Sequence, residues 1–296
     1  MQEKILAVQK MQNYINENLN NEITLTALAD VSLFSPWYSY RLFKEYTGYT
    51  LADYIRRIKL SKSAIMLRDG GSPVTEMAFE MGFQSVEGYQ RAFKREFGCN
   101  PNEYAKHPIP IYLFIPYGVI YNEIRRNHKI IQEETDMYVQ IIHKPERKVI
   151  IKRGIKAEGY FEYCDEVGCD IWGLLTSIPS LTGEPVCMWL PEKYRTAGTS
   201  EYVQGVEVAM DYNGIVPEGL DVIVLPEADY MMFQGEPFQE EEYCAAIDGV
   251  QEAIKHFDPE TRGYNWDEEN PRIQLEPIGS KGYRELVAVK SMKSDI

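Results

Sequence analysis

The sequence is short of the residue types that do chemistry on small substrates. Its four histidines (His107, His128, His143, His256) are scattered without ligand spacing, so neither a metal nor a cofactor is expected. The five cysteines (Cys99, Cys164, Cys169, Cys187, Cys244) are odd in number and form no CxxC pair. They read as buried, reduced thiols of a cytosolic protein rather than a disulfide framework. There is no Ser-His-Asp or Cys-His set and no glycine-rich phosphate loop. No apolar run approaches the roughly 20 residues that a membrane helix needs, and the opening MQEKILAVQKMQNYINENL lacks a signal-peptide layout. These absences point away from enzymes, membrane proteins and secreted proteins, and the expected location is the cytoplasm. Positive charge is also scarce: 31 Lys and Arg face 45 Asp and Glu, a net of −14.

That deficit is unevenly spread. Residues 1–106 hold 13 basic and 12 acidic side chains, whereas 107–296 hold 18 and 33, so a neutral head precedes a strongly acidic body. The chain length of 296 residues suits two domains, each able to bury its own core. A neutral head can hold DNA if Arg41, Lys44, Arg56, Arg57, Lys59, Arg91, Lys94 and Arg95 gather on one side. Its non-specific affinity is then modest, because phosphate neutralisation dominates that term. The acidic body is repelled by DNA and favours cationic ligands.

What is present in the head is a repeat. Between Pro73 and Tyr104, a short helix (Val74 to Glu80) meets Gly82, and a second begins after Ser85, a good N-cap. Tyr89, Phe93 and Phe97 recur every four residues and define an apolar face, opposite Glu87, Gln90, Arg91 and Lys94. Gly98 ends the helix. Fifty residues earlier, Ser35, Arg41-Leu42-Phe43-Lys44 and Gly48 repeat this pattern, with Leu25 to Asp30 as the leading helix and Trp37, Tyr40, Arg41 and Lys44 facing outward. Leu51 to Leu67 reads as one long helix between the copies, and Ile5, Val8, Met11 (or Gln12), Ile15 and Leu19 mark a supporting helix. Each copy is a helix-turn-helix, and a long connector can set two such units in successive major grooves, about 34 Å apart.

Residues 1–106 resemble the AraC/XylS transcription regulators. The resemblance is carried by Arg41-Leu42-Phe43-Lys44, Thr47-Gly48, Tyr54-Ile55, Glu76-Met77-Ala78, Gly82-Phe83, Phe93-Lys94, Gly98, Pro101 and Tyr104. It implies an all-α DNA-binding domain of two helix-turn-helix units joined by a long helix. Trp37, Tyr40 and Arg41 would contact the groove in the first unit, and Glu87, Gln90 and Arg91 in the second, flanked by Lys44 and Lys94. Pro36, just after the first N-cap, and Gly88, inside the second recognition helix, depart from the best helix chemistry.

Residues 107–136 read as a linker, opened by HPIP (His107 to Pro110). Its apolar stretch Ile111 to Tyr121 is expected to pack between domains, and Ile124 to Glu134 to be exposed. From 137 to 296 the pattern is strand-strand-helix-strand-strand, twice. The first set is Tyr138–His143, Arg147–Arg153, a helical stretch over 158–175, Val186–Leu190 and Glu201–Met210. The second is Leu220–Leu225, Tyr230–Phe233, Gln239–His256, Arg272–Glu276 and Gly282–Lys290. Each half closes on a glutamate-bearing strand, at Glu207 and Glu285, and a cleft is expected where the halves meet.

Arg153-Gly154, Trp172-Gly173-Leu174-Leu175, Gly183-Glu184-Pro185-Val186, Trp189-Leu190-Pro191, the stretch Gly198 to Tyr202, Val206-Glu207-Val208, the run Pro271 to Pro277 and Gly282-Tyr283 resemble the GyrI-like effector-binding domain. Together the two resemblances imply a Rob-type arrangement, in which an acidic residue in an aromatic pocket receives cationic, lipophilic molecules. Glu276 and Glu285 rank equally for that role, with Glu207 behind. Tyr160, Trp172, Trp189, Tyr230 and Trp266 are the candidate pocket walls. The expected function is a sequence-specific transcription regulator, an activator, modulated by a small cationic or amphipathic effector. Its expected partners are double-stranded DNA, the effector and RNA polymerase, with a homodimer left open. The rival is a drug-sequestering or hydrolytic domain using a pocket glutamate.

Overall fold

A computed structural model describes residues 2–120 and 137–292. The chain divides into two compact units, Met1–Asn127 and His128–Ile296. The expected exposed stretch Ile124 to Glu134 lies outside the described residues. Among the described residues, no helix is long and apolar enough to cross a membrane, and no three His, Cys, Asp or Glu side chains are grouped to hold a metal. Cys187 and Cys244 are buried as expected, but Cys169 is exposed, and Cys99 and Cys164 are half-buried.

The first unit is helical: α1 (Gln2–Glu17), α2 (Leu25–Ser32), α3 (Pro36–Thr47), α4 (Leu51–Arg68), α5 (Val74–Glu80), α6 (Val86–Phe97) and α7 (Pro101–Lys106). Local chemistry fixes these boundaries. Thr24, Thr50, Ser85 and Asn100 accept the backbone N–H groups of Ala27, Asp53, Gly88 and Asn102 at 2.9–3.3 Å, each cap contributing about 1 kcal/mol. Ser35 departs from the expectation set by Ser85. It occupies the N-cap of α3, but its hydroxyl makes no capping bond. Pro36 already fixes the first turn, and Ser39 donates its hydroxyl to the Ser35 carbonyl at 3.0 Å instead.

Two cores share α4. Its first half, through Tyr54 and Ile58, packs with Val8, Met11, Ile15, Leu28, Leu42 and Phe43. Its second half, through Leu60, Ala64 and Leu67, packs with Met77, Ala78, Tyr89, Phe93 and Tyr104. The apolar stretch expected between domains contributes to this unit. Ile111 and Leu113 are buried in the second core, and Val119 and Ile120 in the first.

The second unit is a mixed α/β domain around one antiparallel sheet. Its strands are β1 (Met137–Lys144), β2 (Arg147–Arg153), β3 (Val186–Trp189), β4 (Tyr202–Val208), β5 (Asp221–Leu225), β6 (Ala228–Gly235), β7 (Tyr264–Trp266), β8 (Arg272–Gln274) and β9 (Arg284–Ser291). They run in the order β1-β6-β9-β8-β3-β4-β2-β5, with the short β7 pairing β9. The helical stretch expected over 158–175 is two helices, α8 (Tyr160–Val167) and α9 (Asp170–Ser177), because Gly168 takes φ +91° and ends the first. A further helix, α10 (Tyr243–His256), follows β6 in the chain. One face of the sheet carries the apolar core of Val149, Ile151, Met188, Val203, Met232, Ile273 and Leu286. On the other, Met231, Phe233, Tyr283 and Val289 pack with Val250 and Ile254 of α10.

Candidate functional site

In the helical unit, α3 and α6 present matching surfaces. Position by position from Arg41 to Thr50 and from Arg91 to Asn100, buried, half-buried and exposed residues follow the same order. Leu42 and Phe43 are buried, as are Ala92 and Phe93, and the charged neighbours Arg41, Lys44, Arg91 and Lys94 are exposed. Gly48 and Gly98 end the two helices alike, each at φ +77°, donating to the carbonyls of Lys44 (3.0 Å) and Lys94 (2.8 Å). Such a left-handed cap suits glycine.

Ahead of Arg41 on α3, Trp37 is 68% exposed and Tyr40 39%. The Arg41 guanidinium lies 5.1 Å from the ring centres of both Trp37 and Tyr38, a cation–π stack that holds it at the surface. On α6, Glu87 is exposed and Gln90 half-buried. The helix runs unbroken through Gly88, whose N–H is the one that Ser85 caps, and a Cβ there would lie 3.2 Å from the Ser85 hydroxyl. Arg95 is also exposed, but Arg57 does not join this surface. It is paired with Glu96 at 2.6 Å and lies over the Phe114 ring. Arg56 is paired with Asp53. Burial lowers the pKa of Lys59, whose ammonium approaches Gly82 in the second turn. One residue of the first turn was not foreseen. Leu33 sits at φ +60° with 82% of its surface exposed.

In the sheet unit the three candidate glutamates have different surroundings. Glu207 and Glu285 are both fully buried, but on opposite faces. Glu207 pairs in register with Val149 of the apolar core and is bound by Lys144 and Arg147, both at 2.5 Å. Tyr230 belongs to that side, where its hydroxyl accepts from Arg147 at 3.3 Å. Glu285 aligns across β9, β8, β3 and β4 with Gln274, Cys187 and Gln204. The register thus sets Gln204, not Glu207, in the row of Glu285. Arg272 pairs with Glu285, and the Tyr283 hydroxyl donates to it at 2.7 Å. Arg272 also stacks on Trp189, 5.0 Å away, which packs edge-on against Tyr202.

Glu276 lies just beyond β8 on the side of Arg272 and Gln274. Burial, reinforced by the neighbouring Glu184 carboxylate, raises its pKa above the usual glutamate value. Among the described residues its carboxylate has no hydrogen bond or ion pair. Gln204, 1% exposed, leaves both ends of its amide without partners. Sequence reading missed it, and its one signal is a glutamine inside a strand whose every residue is buried. Of the aromatic candidates, Trp189 shares the face of Glu285. Trp266 packs with Phe233 and Phe257, Trp172 is buried in α9, and Tyr160 lies beside Phe161.

Comparison with known proteins gives matches to the helical unit. A family model described as a helix-turn-helix domain matches residues 28–107. Regulatory protein SoxS of Salmonella typhimurium is 32% identical over 97 residues, 33% of this chain and 91% of that protein. The Right origin-binding protein of Escherichia coli is 34% identical over 95 residues, 32% of this chain and 33% of that protein. A solved structure described as a probable AraC family transcriptional regulator from Rhodopseudomonas palustris covers 34% of this chain and 94% of its own, with 27% identity and a TM-score of 0.32.

Proposed function

The chain belongs to the AraC family through its helix-turn-helix residues, and we propose that it is a sequence-specific transcription regulator governed by a small cationic or amphipathic effector. The observation that carries the DNA reading is the matched exposure of α3 and α6. Two such helices enter successive major grooves of one duplex. There Arg41 and Arg91 read guanine, Gln90 reads adenine, and Lys44 and Lys94 meet phosphates. Trp37 and Tyr40 supply apolar contact to the groove, and Glu87 completes the face of α6. Selection of bound duplexes from a random library tests this: one recurring sequence supports it, and enrichment of none refutes it.

For the second unit, the GyrI-like, two-repeat reading is supported by the strand order, which is unchanged on reversal if β1 exchanges with β5, β2 with β6, β3 with β8 and β4 with β9. Glu276 is the best candidate for the effector carboxylate. Glu207 and Glu285 are already answered by Arg147 and Arg272, whereas the half-buried carboxylate of Glu276 is partly stripped of water and has no ion-pair partner among the described residues until a cation reaches it. Trp189 is the nearest of the aromatic candidates by register, and aromatic faces attract cations. Titration with lipophilic quaternary ammonium ions, followed by tryptophan fluorescence, should show saturable quenching that Glu276→Gln abolishes. Quenching unchanged in that variant removes Glu276 from the role.

Effector control requires the ligand to prefer one arrangement of the regulator over another, since equal affinity shifts nothing. RNA polymerase is the protein partner expected of an activator. The hydrolytic alternative shares Glu276, whose raised pKa is what a general base needs. Recovery of the ligand unchanged after prolonged incubation excludes it.

A further inference from the structure

Residues 111–120 are held on the helical unit by contacts with both of its halves. Ile111 and Leu113 are buried among residues of α4 to α7, and Val119 and Ile120 among residues of α1 to α4. Between them the backbone bonds to side chains. The Phe114 N–H donates to the Ser61 hydroxyl at 2.7 Å, the Val119 N–H to Gln12 Oε1 at 2.8 Å, and the Ile120 N–H to Gln9 Oε1 at 3.2 Å. The Gln12 amide in turn donates to the Tyr117 carbonyl at 3.2 Å and the Tyr54 hydroxyl at 2.9 Å. Gln12 is buried, so displacing the segment leaves its amide oxygen without the Val119 N–H and its amide nitrogen with the Tyr54 hydroxyl alone, which is more costly than never having formed the bonds.

Phe114 is the centre of the arrangement. Its ring meets Tyr49, between α3 and α4, at 5.0 Å, and Tyr54 of α4 at 5.4 Å, both edge-on. The Arg57 guanidinium lies 4.3 Å from its ring centre and binds Glu96 of α6 at 2.6 Å. A continuous set of contacts therefore runs from the end of α3, through Tyr49, Phe114 and Arg57, to α6.

We propose that residues 111–120 are a strap that sets the spacing and angle of α3 and α6, with Phe114 and Arg57 as its positioning residues. The proposal rests on the DNA-binding reading and adds to it the element that matches the two helices to the repeat of the duplex. Two recognition helices bind one duplex only if their separation fits the helical repeat, about 10 base pairs between half-sites. Without the strap, Arg57 keeps the Tyr49 ring, 5.3 Å from its guanidinium, but loses the closer Phe114 ring that packs it beside Glu96. The strap is also the stretch through which the chain leaves the helical unit towards β1.

The test uses the full chain and the duplex selected by the wild type, with spacers lengthened or shortened by up to about five base pairs, roughly half a helical turn. Wild-type affinity should fall on the order of 100-fold at the worst spacer, the equivalent of losing one or two base contacts. In Phe114→Ala and Arg57→Gln that penalty should shrink to less than about tenfold, and Phe114→Tyr, which keeps the ring beside Arg57, should restore most of it. Circular-dichroism melting checks that the variants are folded. Should Phe114→Ala not fold, Arg57→Gln and Glu96→Gln, which leave no apolar cavity, carry the test. An undiminished spacer penalty in the folded variants, or an equal loss of affinity on every spacer, overturns the proposal. A wild type that selects no sequence refutes instead the DNA reading on which it stands.

Discussion

One half-buried carboxylate, Glu276, gives the second unit a contribution to stability that falls as pH rises. The pKa of Glu276 is raised, first by burial and then by Glu184. A raised folded-state pKa means that the native protein binds the proton more tightly than the unfolded chain. The stabilisation is therefore complete below the usual glutamate value and is lost as pH climbs through the raised one. Glu276→Gln, which cannot ionise, should be more stable than the wild type at neutral pH, with the gap closing in acid. Melting temperatures across pH 4 to 8 check this, and a variant less stable than the wild type at neutral pH contradicts it. Cation affinity should move the opposite way, falling in acid as the carboxylate takes up its proton.

On the DNA side, Arg91→Ala should cost about 1–3 kcal/mol on the selected duplex if it reads guanine. An equal loss on all sequences would make it a phosphate contact. Sequence alone reached this surface because exposure along a helix follows a local period. It ranked Glu276 and Glu285 equally because the distinction lies in Arg272, thirteen residues from Glu285 and brought to it only by pairing of β8 with β9.

Helix ends show the same divide between local and non-local information. Gly48 and Gly98 take φ +77° with nothing within 4 Å of an added Cβ. Gly48→Ala or Gly98→Ala should therefore destabilise the helical unit by about 1–2 kcal/mol through backbone strain alone. Leu33 is the opposite case. It adopts φ +60° without glycine's freedom, so Leu33→Gly should stabilise the unit by about 1 kcal/mol as the αL strain is relieved. Denaturant midpoints check both signs.

The fifty-residue repeat, the stops at Gly48 and Gly98 and the long α4 were legible because each depends on neighbours within a few residues. Three other features were not. Ser35 looks equivalent to Ser85, yet Pro36 and Ser39 change how its helix begins. Gly168 divides a stretch that reads as one helix. The expected equivalence of Glu207 and Glu285 fails because strand register, which sets the face, depends on partners far away in the chain. The role of residues 111–120 was hidden for a related reason: an apolar run shows that a surface is needed and leaves open which one covers it.

For the molecule as a whole, charge separates affinity from specificity. The head is close to neutral and the body strongly acidic, so few phosphates are neutralised and binding should depend only moderately on salt. Lys94→Ala should lower the slope of log affinity against log salt by about one if Lys94 meets a phosphate. A slope unchanged by the substitution would remove it from the interface. With weak phosphate attraction, discrimination must come from base contacts by both recognition helices together.

The most direct measurement is therefore the fluorescence anisotropy of the full chain titrated, at one fixed salt concentration, onto its selected duplex and onto an unrelated duplex of equal length. The selected duplex should bind at least about 10³-fold more tightly, the lower limit for specific recognition. Equal affinity for the two would contradict it, leaving α3 and α6 as surface helices that do not read sequence.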